Sequence, residues 1–173
     1  MSMRFIAILC AGVATINFPG CGSSSSSNSS RSTTDESATT TTYDTALNVT
    51  TINNAPVPGE MLPEQDVTVM LDTIDAHGNR LKSSRGTRKA GTRVAIHTHE
   101  FGGQTCVLSG VITDFVEGHE PMEWPAGTCY YMPPNTLMAA ANLGTEDAVL
   151  IDTFNQPPDT PLITIREPGW PSN

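Results

Sequence analysis

From about residue 67 onward, apolar and polar residues alternate over short spans. Val67-Thr68-Val69-Met70-Leu71-Asp72 is rich in strand formers, and further extended candidates cover 93–99, 104–108, 111–116, 128–132, 137–142, 148–154 and 162–165. Turn formers punctuate them, among them Gly78-Asn79, Gly102-Gly103, Gly110, Gly118, Gly127, Pro133-Pro134-Asn135 and Pro157-Pro158. Many short strands with regular turn signals predict an all-β sandwich or barrel. Ala139-Ala140-Ala141 is too short for a helix and follows a proline turn, so no helix longer than two turns is expected from about residue 55 onward.

The chain begins differently. Residues 1–21 carry one positive charge at Arg4, an apolar stretch from Phe5 to Ile16, and a breaker region ending at Cys21. This is the layout of a secretory signal peptide, and it is too short to span a bilayer unaided. A hydrophobic first strand is the alternative. Cys21 at the end of an export signal resembles the lipid-attachment site of bacterial lipoproteins, although Phe18, Pro19 and Gly20 depart from the usual residues before it. The resemblance implies a protein held at a membrane by a lipid on Cys21; simple cleavage implies a periplasmic or secreted one. Residues 22–45 are rich in Ser and Thr and bury too little to order themselves, so they read as a disordered tether. The folded domain is expected over 46–173.

With 9 Lys plus Arg against 18 Asp plus Glu, the 173-residue chain has a formal net charge of -9, which argues against nucleic acid as a partner. The basic residues Arg80, Lys82, Arg85, Arg88, Lys89 and Arg93 are clustered and read as a solvated hairpin, or else as a docking site for an anion.

Two histidines bring in chemistry. In a strand, His97 and His99 fall on one face, where two imidazoles can converge on one transition metal ion. Alone, H-x-H is a weak signal. Its surroundings add to it: Gly91-x5-His97-x-His99-x4-Gln104-x5-Gly110 resembles the first signature of the cupin superfamily, G-x5-H-x-H, a short loop, E and a closing G. After it, Gly127-x5-Pro133-x-Asn135-x2-Met138-x3-Asn142 resembles the second, G-x5-P-x-G-x2-H-x3-N. The resemblance implies a double-stranded β-helix, or jelly-roll barrel, with a small-molecule pocket and one metal ion held by two His, a Glu and a third His.

This chain departs from that ligand set. The Glu slot falls at Gly103 or Gln104, and only Gln104 has a coordinating side chain. Met138 stands where the third His would be, and Asn135 replaces a turn glycine, a position Asn tolerates. The expected ligands are therefore His97, His99, Gln104 and Met138, with copper, zinc or iron as the ion; the thioether favours Cu(I). Met138 as plain barrel filling is the alternative. Two functions stay open: a metal-dependent enzyme of unstated reaction, and a non-catalytic cupin that binds a small ligand without metal.

Cys106 and Cys129 lie on strands within the two signatures, either joined in a disulfide or as small buried thiols. His77 and His119 read as loop residues. One of Tyr130 and Tyr131 is expected to face inward, and Trp124 to cap a barrel end. A homodimer is compatible with this reading.

Overall fold

The computed structural model describes residues 41–43 and 48–171. The expected signal peptide, Cys21 and most of the tether lie outside them. The described strands are β1 (Thr41–Tyr43), β2 (Glu60–Met61), β3 (Gln65–Ile74), β4 (Arg80–Arg88), β5 (Thr92–Arg93), β6 (His97–Thr98), β7 (Gly103–Ser109), β8 (Val111–Val116), β9 (Met122–Pro125), β10 (Cys129–Met132), β11 (Met138–Ala141), β12 (Ala148–Gln156) and β13 (Ile163–Ile165). No helix occurs among the described residues. β1, at the end of the segment read as a tether, pairs in parallel with β13.

The strands form two sheets. One has the order β10-β7-β12-β4-β3. In the other, β11 pairs on one side with β8, which also pairs with β9, and on the other with β5 and β6. β5 and β6 are two pieces of the span 93–99, interrupted at 94–96. Residues facing between the sheets form the main core: Val107, Ile112, Val116, Tyr130, Met132, Met138, Ala148, Leu150, Phe154 and Leu162. A second cluster covers the outer face of the β11 sheet, where Ile52 and Val57 pack on Val94, Ile96 and Ala139. Burying apolar side chains at about 25 cal/mol per Å² is what holds the two layers together.

Three turn residues of the signatures have visible reasons. Gly110 has φ 76°, and a Cβ there would lie 2.9 Å from Ala148. Asn135 takes φ 54°, the left-handed turn expected of it, and its backbone N–H donates to the His99 carbonyl at 2.7 Å. Asn142 is fully buried; its amide donates to the carbonyls of Arg88 and Glu146, and its oxygen accepts from the Gly144 N–H. The second signature thereby pins both the histidine strand and the end of β4.

The basic cluster at 80–93 was expected as a solvated hairpin: β3 and β4 do form a hairpin and Arg85 and Lys89 are exposed, but the rest of the expectation is corrected. Lys82, Arg88 and Arg93 are buried. Arg80 pairs with Asp72, Lys89 with Asp147, Arg88 with Glu64, and Arg93 with Glu167. The turn before β4 is the predicted one: Asp75 Oδ1 accepts from the N–H groups of His77 and Asn79, and Gly78 has φ 84°.

Candidate functional site

His97 and His99 are both buried on the inner side of the barrel wall. His97 Nδ1 lies 2.7 Å from the Ala95 carbonyl, and His99 Nδ1 lies 2.5 Å from the Leu162 carbonyl. A carbonyl only accepts, so both Nδ1 atoms carry the proton and donate. Burial, with His99 alongside, holds His97 well below the usual histidine range, and burial lowers His99 to about 4. Both rings are therefore neutral at pH 7. Their unprotonated Nε2 atoms face each other at 3.1 Å, with the rings edge-on at 82°. Two lone pairs this close repel unless a cation or a proton lies between them. Two nitrogens at this 3.1 Å separation, each about 2.0–2.1 Å from a common ion, would subtend roughly 100°, an ordinary angle at a metal.

The remaining expected ligands divide. Met138 is buried, and β11 sets it opposite His97. Gln104 is not brought to the histidines: it is exposed on the outer face of β7, and its amide nitrogen donates to Cys106 Sγ at 3.1 Å. Strand alternation gives the inward place to Gly103 instead. A Cβ on Gly103 would meet Phe154 ring carbons at 2.7 Å and the Met132 methyl at 2.8 Å. Phe154 fills that space and packs on His99, ring centroids 5.0 Å apart. Among the described residues no group of three His, Cys, Asp or Glu is placed to hold a metal. Two imidazoles beside a thioether suit a soft ion of low coordination number, and do not suit hard ions that need carboxylate.

The barrel also holds two carboxyls that the sequence reading did not single out, Glu64 and Asp152, close to Arg88 of the basic cluster. Glu64 lies over Gly86, where any Cβ would overlap its carboxylate. The Arg88 guanidinium is 3.5 Å from Glu64 and donates to the Leu62 carbonyl at 2.5 Å. Asp152 accepts from the Thr105 hydroxyl at 2.5 Å. Burial, then the charge of Asp152, pushes Glu64 up to about 8 despite Arg88, and burial raises Asp152 as well. The 3.5 Å distance alone would suggest an ionised pair, but burial and the charge of Asp152 act against ionisation of Glu64, so the two coupled carboxyls retain one proton at neutral pH. Lys82, whose amine makes no hydrogen bond among the described residues, is lowered mainly by burial, against the nearby charge of Asp72. A glycine inside a strand, as at Gly86, is the one sequence signal that marks such a close approach.

A separate cleft of about 290 Å³ opens between β8, β9 and β10, lined by Asp114, Val116, His119, Glu120, Met122, Trp124, Tyr131 and Pro133. On the inner face, Val116 pairs with Met138 and Met138 with His97, so the methionine stands between the cleft and the imidazoles. Asp114 is buried and accepts from the Phe115 backbone N–H; burial pushes its carboxyl up to about 7. Trp124 stacks on Tyr130 with centroids 5.6 Å apart, and Tyr130 is the inward tyrosine of its pair while Tyr131 is 65% exposed. His119, expected as a plain loop residue, contributes to the rim of this cleft; His77 is exposed in its turn. Cys106 and Cys129, paired in register across β7 and β10, form a disulfide.

No family profile matches the chain, and no curated protein matches it. Solved structures do. A protein with a double-stranded beta-helix domain from Klebsiella pneumoniae subsp. pneumoniae is similar at 22% identity over 57% of this chain and 84% of that one, with a TM-score of 0.45. An RmlC-like cupin family protein from Methanocaldococcus jannaschii is similar at 15% identity over 60% of this chain and 92% of that one, TM-score 0.45. A recombinant oxalate oxidase in complex with glycolate is similar at 20% identity over 57% of this chain and 53% of that one, TM-score 0.47. By the order and register of its own strands, the chain has the double-stranded β-helix, or cupin, fold that its two sequence signatures imply.

Proposed function

We propose that the chain is an exported cupin-domain protein that holds one soft transition metal ion at His97 and His99 and takes a small molecule in the cleft beside them. The facing pair of unprotonated Nε2 atoms carries the metal reading. Met138 supplies a thioether next to them, which favours Cu(I) over zinc or iron. A bound ion would supply Lewis acidity or electron transfer. The protein's own part is to fix the two imidazoles through the Ala95 and Leu162 carbonyls and to keep water out with Phe154. The second reading, a ligand-binding cupin without metal, draws its support from Gly103, where the family's carboxylate has no counterpart.

Titration calorimetry of metal-free protein with Cu(I) and Zn²⁺ separates the two readings. The metal reading expects about one site per chain, stronger for Cu(I), lost in His97→Ala, and shifted toward Zn²⁺ in Met138→His. Absence of binding by both ions leaves the metal-free reading.

Export and a lipid on Cys21 belong to the same proposal, supported by the composition of residues 1–21. Detergent partitioning of full-length protein against Cys21→Ser tests them. A second copy is the proposed protein partner. Among the described residues β3 ends its sheet and exposes Val67, Val69, Met70, Leu71 and Ile74. A free edge of this length pairs with its own copy about a two-fold axis. Sedimentation should give a dimer that Met70→Lys with Ile74→Lys converts to monomer; a monomeric wild type overturns it.

A further inference from the structure

The most distinctive unassigned feature is the carboxyl of Asp114 at the wall of the 290 Å³ cleft. A buried carboxyl is costly unless something compensates its charge. Among the described residues Asp114 pairs with no cation; its named partner is the backbone N–H of Phe115. Around it stand Val116, Met122, Trp124 and Tyr131, and the other ionisable side chains lining the cleft are Glu120 and His119. Tyr130 lies behind Trp124. Met122 and Tyr131 are large apolar side chains left 54% and 65% exposed at a concave site, where a ligand would cover them. The indole N–H of Trp124 is buried with no acceptor among the described residues.

An anion would meet two carboxyls, Asp114 and Glu120, against one basic side chain lining the cleft, His119. A neutral apolar ligand would leave the carboxyl uncompensated. A compact organic cation satisfies both constraints, because a quaternary ammonium is attracted to a carboxylate and to aromatic faces alike, and strongly so when desolvated. The net charge of -9 adds a general field that draws cations toward the surface.

We propose that the cleft between β8, β9 and β10 binds a small quaternary ammonium compound, with Asp114 as counter-ion and Trp124 and Tyr131 as its aromatic walls. The proposal deepens the small-ligand reading above and does not depend on the metal, so its test uses the metal-free full chain.

Calorimetry at about pH 8 compares three probes of one size and shape: choline, its neutral isostere with tert-butyl in place of trimethylammonium, and the corresponding tert-butyl carboxylate. Choline should bind about tenfold more tightly than the neutral isostere, the effect of one close charge contact in a partly desolvated site. Asp114→Asn should remove that difference, and Trp124→Leu should weaken choline more than the isostere. Circular dichroism on both variants verifies the fold. Equal binding of choline and the isostere by wild type overturns the proposal, as does choline binding unchanged in Asp114→Asn. Binding of the neutral or anionic probe in preference, lost in Met122→Trp, overturns the cation assignment while the small-ligand reading stands. Binding of none of the three overturns both.

Discussion

Replacing Glu64 with Gln removes one buried ionisable group while keeping its shape, and the consequence is a change in how stability depends on pH. The carboxyl moves from its ordinary 4.5 in the unfolded chain to about 8 in the fold, chiefly through burial and the neighbouring Asp152. At ~1.36 kcal/mol per tenfold change in proton affinity, that shift corresponds to about 5 kcal/mol. Sharing of the proton with Asp152 lowers the part that belongs to Glu64 alone, to about 2–5 kcal/mol. Because the folded pKa is the higher one, the folded chain keeps a proton that the unfolded chain has released. The associated stability is complete below about pH 4.5 and is lost as pH rises toward about 8. Gln mimics the protonated acid at every pH. Urea denaturation with the disulfide intact, followed by tryptophan fluorescence, should give matching stabilities near pH 5, with Glu64→Gln the more stable by about 2–5 kcal/mol above pH 8. If Glu64 instead acts as an ionised partner of Arg88, the variant will be less stable at neutral pH by about 3–5 kcal/mol, the cost of breaking a buried pair. That sign would refute the reasoning.

The histidine pair predicts the opposite trend at acid pH. His99 is depressed from 6.5 to about 4, so stability present above 6.5 is lost as pH falls toward 4; the loss should be about 3 kcal/mol and should shrink in His99→Gln, measured by denaturation at several acid pH values. Gly103→Ala should cost about 1–3 kcal/mol by forcing Phe154 and Met132 apart, read as a lowered Tm. Joint replacement of Cys106 and Cys129 by Ser, opening a bridge of sequence separation 23, should lower stability by about 3 kcal/mol in the same assay. Glu167→Ala should cost about 3–5 kcal/mol at neutral pH, since Arg93 then loses both bonds of a buried bidentate pair, at 2.6 and 2.7 Å.

The barrel was legible because its strands alternate and its turns carry Gly, Pro and Asn. The expected span 111–116 is β8 residue for residue, and the expected Asn135 turn has the left-handed backbone. β4 was not legible. Its sequence, RLKSSRGTR, has one large apolar side chain, and its inward positions 82, 84, 86 and 88 are Lys, Ser, Gly and Arg. Periodicity reads hydrophobicity, and this strand turns a polar face to the interior. β9 was missed because Met122–Pro125 holds only four residues, with Pro121 before it and Pro125 as its last residue. At the site, strand parity brought His97, His99 and Met138 to one face. The place of Gln104 depended on the length of the loop between β6 and β7, which alternation alone does not fix; one residue of register turned it outward. Glu64 and Asp152 gave no local signal, because what makes them unusual is coming near Arg88 from distant parts of the chain, Glu64 just before β3 and Asp152 on β12.

The space that Phe154 fills beside Gly103 bears on which sequence changes can place a carboxylate next to His99. Gly103→Glu alone drives a side chain into Phe154 and Met132. Phe154→Ala alone empties the space beside His99, a loss of about 3–5 kcal/mol. Each step is unfavourable by itself, and together each relieves the other, so the two positions are strongly epistatic. A version of this barrel with a carboxylate beside His99 is separated from the present one by a valley in stability, which a library that varies one residue at a time meets at its first step.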